Sequence, residues 1–363
     1  MLKRLFQYPF LLVFGISAIS IRIFSLQETW VEAYYSGMFY PLISVAIRAL
    51  LGWIPFSVGD FLYGAATLYL VFVLWRGFKK IRAYRAVPLL WGRIVRKVVT
   101  TALSIYILFN VLWGLNYNRQ GISRQLALRE ELYTADELAA LVQVLQQKLC
   151  VYGNEVSTLE RSRLSNNAYL FAEGVTAYEG AVKRFPFLQY HVPSIKPSLL
   201  TPLGQYFGFT GYYNPFTGEA QLKTSIPVFL KPFVLCHEMA HQIGYAKENE
   251  ANLVGFLAGR ERANPEFRYS VYFEMYLYAL GELSRRERNS AALFLKTAHP
   301  QVLRDRQEYL NYLTSQQNIV EPLVSRFYDR YLKLNNQPKG KGSYNAVVAW
   351  LIAYAKKYGA SAI

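Results

Sequence analysis

Cysteine is scarce in this chain: Cys150 and Cys236 are the only two among 363 residues. Two thiols exclude a disulfide framework and a closed four-cysteine zinc site. One bridge between them stays open to an oxidising compartment, and a pair of small buried thiols is the simpler expectation. Histidine is also sparse, with four residues, and acidic residues are few, 24 against 40 basic, for a net charge of +16. The acidic deficit is uneven. Up to Arg119 there are 13 basic residues against Glu28, Glu32 and Asp60; beyond it, 27 against 21. The excess positive charge therefore falls mainly where the apolar runs are longest, which suits a membrane protein better than a nucleic-acid binder. There is no zinc knuckle, RNA-binding signature, internal repeat or low-complexity tract, and no nucleic-acid partner is expected.

Three stretches are long and apolar enough to cross a bilayer: about Tyr8–Leu26, Ser57–Trp75 and Val98–Leu115. The first follows Lys3 and Arg4 but is too long for a typical cleaved signal, so it reads as an uncleaved anchor. Eight basic and no acidic residues lie between Arg76 and Lys97, which marks that loop (Gly77–Trp91) and the N-terminus as cytoplasmic. The stretch Met38–Ile54 is interrupted by Pro41 and Arg48, and a further crossing there would break the parity of the topology. It is expected as an interfacial or re-entrant helix. Arg119, Arg124 and Arg129 on the outer side weigh against this arrangement but are outnumbered. The expectation is a helical membrane module over residues 1–118 in a bacterial inner membrane, with residues 119–363 on the extracytoplasmic side.

Beyond the membrane part, Thr134 and Glu137 form a capping box that opens a helix ending near Cys150. Gly211–Thr224 reads as a β-hairpin turning at Asn214-Pro215 and Thr217-Gly218. Helices are expected over Glu250–Arg262, Phe267–Arg286, Gln301–Thr314 and Tyr344–Tyr358, with Asn335–Gly342 as a flexible loop. The body is thus predicted to be mainly α, of α+β type, with a short hairpin or sheet.

The chemistry concentrates in His237-Glu238-Met239-Ala240-His241. Residues four apart share a helix face, so His237 and His241 offer two imidazoles to one metal ion. Glu238 is placed to act as general base toward a water at that ion. Such a nitrogen-rich set suits Zn²⁺. Gly244 stands where the helix must end. The bland alternative is a buried helix that happens to carry two histidines. A third ligand is needed, and Lys247 occupies the position where metzincins place their last histidine. Glu248 and Glu250 remain; Glu248 is favoured because it shares a face with Asn252. This Glu-x-x-x-Asn resembles the Glu-x-x-x-Asp of the gluzincins, whose glutamate is the third ligand and whose aspartate supports a ligand histidine. The resemblance implies that role for Asn252, without the negative charge.

The string from Gly211 to Ala258, together with PFSVGD (Pro55–Asp60), WGLNYNR (Trp113–Arg119) and Ser343–Asn345, resembles a family of bacterial membrane proteins of unknown function that carry HExxH. That resemblance implies a membrane-bound peptidase with a zincin-like domain and supplies no substrate. Zn²⁺ on His237, His241 and Glu248 would acidify a water, Glu238 would move its proton to the leaving amine, and the substrate would be a peptide or protein. A non-catalytic zinc sensor is the alternative, and an intact Glu238 argues against it. An intramembrane protease is disfavoured because Lys231 and Lys247 flank the motif too closely for a span.

Other residues carry paired expectations. Tyr269, Tyr272 and Tyr276 share a helix face and are a packing stripe or a source of one oxyanion-stabilising phenol. Tyr212, Tyr213 and Glu219 line a substrate groove or serve structure alone. Cys236 points about 100° away from His237 and is no ligand. His191 and His299 are expected as ordinary surface or core histidines, and Asp60 as an interfacial cap.

Overall fold

The computed structural model describes residues 9–83, 88–129, 132–340, 342 and 346–363. Lys3, Arg4, Tyr8, Arg85 and the Ser343–Asn345 motif lie outside them. The chain is mostly helical. Helix α1 spans Pro9–Ser25 and α2 spans Glu28–Leu51, bent 94° from α1. Helices α3 (Val58–Ala83) and α4 (Pro88–Leu112) follow, and α1 packs along α4. Two segments, Val58–Lys79 and Gly92–Leu112, are long and apolar enough to cross a membrane, with a third only if α1 and α2 are taken together. Within the described residues α1 has 17 residues, about 25 Å, against a hydrocarbon core of about 30 Å.

The expected loop Gly77–Trp91 is shorter than the basic residues suggested. Helix α3 continues to Ala83 and α4 starts at Pro88, because Lys and Arg are good helix formers and charge alone ends no helix. Helix α4 also stops at Leu112, before the expected Leu115, and gives way to a 3₁₀ turn over Gly114–Asn118.

Helix α2 is two-faced. Val31, Tyr35, Tyr40, Ser44 and Arg48 are buried, whereas Tyr34, Met38, Leu42 and Leu50 are exposed. Part of it, Val31–Phe39, is wound as a π-helix. An exposed apolar stripe on a helix lying across the end of α1 is the pattern of an interfacial element.

The rest of the chain builds a helical body around a small sheet. Helix α5 (Ala135–Glu155) opens on the capping box, with both reciprocal bonds formed, and runs a turn beyond the expected end. Helix α6 (Asn167–Val182) is capped by Asn166. Strands β1 (Ile195–Pro197), β2 (Gly211–Asn214) and β3 (Glu219–Leu222) lie in the order β1-β3-β2. The β2–β3 hairpin pairs Tyr212 with Gln221, and β1 runs parallel to β3. Then come α7 (Lys231–Gln242), α8 (Glu248–Gly259), α9 (Pro265–Arg286), α10 (Pro300–Ser315), α11 (Glu321–Leu334) and α12 (Val347–Tyr358). The main apolar core lies among α5 to α9 and α12.

The membrane-side helices are hydrogen-bonded into this body across the 118/119 boundary. Glu219 accepts from the backbone N–H groups of Val58 and Gly59 at 3.0 and 2.6 Å, an anion at the N-terminus of α3. Asp60 accepts from Leu199 N–H at 2.6 Å and from the Ser198 hydroxyl. At the other junction, the carbonyls at the end of α7 have no partner within their own helix. Tyr40 and Ser44 on α2 donate to Gln242 O at 2.8 and 3.0 Å, and Trp113 Nε1 donates to His241 O at 3.1 Å.

Arg119 joins three segments: its guanidinium donates to both Glu32 oxygens, at 3.0 and 2.7 Å, and to Gly244 O at 3.1 Å. Arg119→Met leaves the Glu32 carboxylate and the Gly244 carbonyl without this donor. Arg119 is buried but Glu32 is partly exposed, so the cost falls below the about 3–5 kcal/mol of breaking a fully buried pair. The expected result is a markedly lowered unfolding temperature in detergent, while Arg124→Met, at a site outside this network, is near neutral.

Candidate metal centre

The site begins with how α7 ends. Gly244 has φ +91°, a left-handed conformation that costs glycine nothing. Its N–H bonds His241 O at 3.0 Å, and Tyr245 N–H bonds Ala240 O at 3.1 Å, the two bonds of a Schellman closure. A Cβ at Gly244 would meet the Tyr40 ring and Asn116 near 3.0 Å. This turn carries Tyr245 O back onto His241, whose Nδ1 lies 2.7 Å from it. Nδ1 is thereby a donor, and Nε2 is the nitrogen that faces the centre and would ligate a metal once deprotonated.

Helix α8 crosses α7 at Gly255, where a Cβ would stand 3.0 Å from His237 N. The close approach brings Glu248, at the first turn of α8, over the two imidazoles. His237 Nε2 and His241 Nε2 are 3.1 Å apart, and Glu248 Oε2 is 3.2 Å from the first and 3.6 Å from the second. All three residues are buried. Donor atoms bound to one ion at about 2.0–2.1 Å with tetrahedral angles stand about 3.3 Å apart. The three observed edges fall around that length, so this group can hold a metal ion.

Support comes from further along the chain. Tyr328 on α11 donates to Glu248 Oε1 at 2.8 Å, and Gln337 Oε1 accepts from Glu248 N–H at 3.0 Å. Gln337 is buried, so the expected flexible loop Asn335–Gly342 is anchored at the site. Asn252, one turn after Glu248, lies against the His237 imidazole and near Tyr278. Glu250 points elsewhere, toward Gly121 and toward Lys247, 3.7 Å away.

Electrostatics follow the geometry. Burial works to raise the Glu248 carboxyl, but hydrogen bonds from His237 and His241 outweigh it and hold the group well below the usual carboxylate range. Burial would lower His241, yet the Glu248 carboxylate pushes it up to about 9. Glu238 sits under the edge strand; a Cβ at Gly211 would meet its Cγ and Oε1 at 2.8 Å. Burial pushes its carboxyl up to about 8.

Two cavities flank the group. The larger, about 510 Å³, is bounded by Phe207, Phe233, Val234, Glu274, Tyr278 and Tyr309. The smaller, about 370 Å³, is bounded by Phe109, Trp113, Tyr117, Tyr213, Phe216 and Tyr331. Tyr63, Gly211, Tyr212, His237, Glu238 and Tyr328 line both. The two cavities, together the trough, thus share a wall formed by β2, an edge strand. The trough's walls include Tyr63 on α3 and Phe109 on α4, each about one turn from its helix end.

The structure brings His237, Glu238, His241, Glu248, Asn252, Tyr212 and Tyr213 together. It does not bring the α9 tyrosine stripe to the trough. Tyr269 stacks on Phe273, the Tyr272 hydroxyl bonds Ile363 O, and Tyr276 is buried in the core. The oxyanion expectation for these three is therefore corrected. A different face of α9, with Glu274 and Tyr278, meets the cavity, because a one-sided stripe of large side chains marks the core. Glu219 lines neither cavity and holds the start of α3 instead. Cys150 and Cys236 are free thiols; Cys236 is buried, which pushes its thiol up, but Cys150 is exposed, so the expectation of two buried thiols is corrected. His299 caps α10, its Nδ1 accepting from Gln301 N–H at 3.2 Å. Sequence reasoning missed Tyr328, Gln337, Tyr278 and Glu274. None carries a local motif, although a lone glutamate inside the apolar pattern of α9 was a readable signal for Glu274.

Tyr328→Phe removes one hydroxyl from Glu248. Loss of such a supporting partner typically costs about 10- to 100-fold in metal affinity. Chelator competition on the purified variant should show a drop of that size, with the fold retained.

A buried His-His-Glu group that can hold a metal ion, seated where a helical body meets helices of membrane-spanning length, defines a membrane-associated protein with a candidate metal centre. The chain belongs to the family described as "Protein of unknown function (DUF3810)", which matches residues 35–352. No curated protein and no solved structure matches it.

Proposed function

We propose that the protein is a membrane-anchored zinc-dependent metallohydrolase, a zincin-like peptidase of gluzincin type. One observation carries the reading. Glu238 stands beside the His-His-Glu group and lines both cavities, which share the edge strand β2 as a wall. A metal-holding site without turnover requires neither a base at that position nor a groove on both sides.

A zinc ion held by His237, His241 and Glu248 would supply Lewis acidity for a scissile carbonyl and lower the pKa of water. The chain's own groups supply the rest. The edge of β2 offers backbone donors and acceptors to an extended polypeptide. Glu238 accepts a proton from the attacking water and returns it to the leaving amine; a carboxyl raised by burial is suited to both transfers. His241 keeps its orientation through Tyr245 O. Tyr63 on α3 and Phe109 on α4, as cavity-wall residues, favour substrates presented close to the bilayer. The basic residues from Arg76 to Lys97 support an extracytoplasmic body.

The test is metal content and hydrolysis of a broad peptide library by the same detergent-purified preparation. One zinc per chain with cleavage supports the reading. A fully metallated, folded and inert protein would replace it with a zinc-binding sensor.

A further inference from the structure

Glu274 is the feature of the larger cavity that the hydrolytic machinery leaves unused. It lies on α9, one turn before Tyr278, and is 8% exposed. Among the described residues it forms no ion pair and no hydrogen bond. Burial pushes its carboxyl up to about 7. The acidic groups facing it are the phenols of Tyr278 on its own helix and Tyr309 on α10, and no cation of the cavity wall offsets it. An uncompensated buried carboxylate is costly to the fold. Here it faces a cavity of about 510 Å³ whose walls include Leu230, Phe233, Val234 and Tyr309, and whose lining also contains His237 and Glu238.

We propose that Glu274 is the specificity-determining end of a subsite that takes a cationic group on an apolar stem, namely a lysine or arginine side chain of the polypeptide substrate. The apolar walls receive the methylenes, the carboxylate pairs with the ammonium or guanidinium, and the neighbouring rings of Tyr278 and Tyr309 favour a cation over their faces. An anionic side chain would meet two carboxylates, Glu274 and Glu238, in one low-dielectric space. A neutral apolar one would fill the walls and leave Glu274 without a partner. This assignment rests on the peptidase reading for its substrate and on geometry alone for its ligand chemistry.

The experiment has two arms. In the first, hexylguanidinium and its neutral near-isostere hexylurea are titrated calorimetrically into full-length protein, metal-loaded and metal-free. Hexylguanidinium keeps its charge and has no lone pair for a metal. The wild type should bind it at least about ten-fold tighter than hexylurea, the scale of one charge-assisted hydrogen bond, and Glu274→Gln should abolish the preference while keeping its zinc. Equal binding of the two probes by the wild type overturns the proposal with no variant required, as does a preference that survives Glu274→Gln.

In the second arm, peptides differing only by Arg, Lys, norleucine or Glu at one position are offered as substrates. A kcat/KM preference for the basic members that Glu274→Gln flattens supports the subsite, and cleavage indifferent to that position overturns it while leaving the peptidase reading intact. Glu274-dependent guanidinium binding without cleavage of any peptide keeps the subsite and removes the peptidase reading.

Discussion

Glu238→Gln is expected to retain one zinc per chain and lose peptide hydrolysis by about ten-thousand-fold or more. The two side chains are nearly isosteric and position 238 is not a ligand, so His237, His241 and Glu248 keep their spacing of 3.1–3.6 Å. An amide cannot take a proton from the attacking water. A positioned acid–base group typically contributes about 10²- to 10⁴-fold, and Glu238 is asked to serve twice, first as base and then as acid. The loss therefore belongs at or beyond the top of that range. Zinc by elemental analysis and hydrolysis rates on paired preparations measure it. A variant that loses its metal, or one that still cleaves within ten-fold of wild type, contradicts the assigned role.

The second large effect concerns metal retention. His237→Ala and Glu248→Ala should each lose zinc by more than the about 10- to 100-fold attached to supporting partners, since each deletes one of three donors. Glu250→Ala should keep it. Glu250 is as buried as Glu248 and two residues away, yet its carboxylate faces Gly121 and Lys247 and not the imidazoles. Its loss should show as lowered thermal stability with normal zinc content. Zinc lost from Glu250→Ala and kept by Glu248→Ala would transfer the third ligand.

The residues that read best from sequence are those whose geometry is local. His237 and His241 are fixed by one turn of helix, Gly244 by the closure it makes, Thr134 and Glu137 by a reciprocal cap, and β2–β3 by the turn at Asn214–Gly218. Glu248 and Asn252 were legible because their spacing is also a single turn. What stayed hidden is what the chain brings in from far away. Tyr328 and Gln337 reach Glu248 from about 80 and 90 residues downstream, and β1 pairs with β3 through three residues that end in a proline. The tyrosine stripe of α9 misled for a related reason: periodicity tells that a face is buried, and does not tell against what. The basic segment near Arg76–Lys97 was read as a loop because charge was used where helix propensity decided.

The carboxylate of Glu219 also bears on how this molecule meets its bilayer. It grips the first two amides of α3 from a strand paired in register with the wall of the trough, and Asp60 ties the same turn to Leu199. A helix held at one end behaves as a hinged rod. In bilayers of different thickness a spanning helix adapts by tilting, and a rod pinned at Val58–Asp60 can swing only about that pivot. Were α3 to span a bilayer, its far end, carrying Trp75 and Phe78, would take up a change in thickness, and the pinned end would stay level with β3.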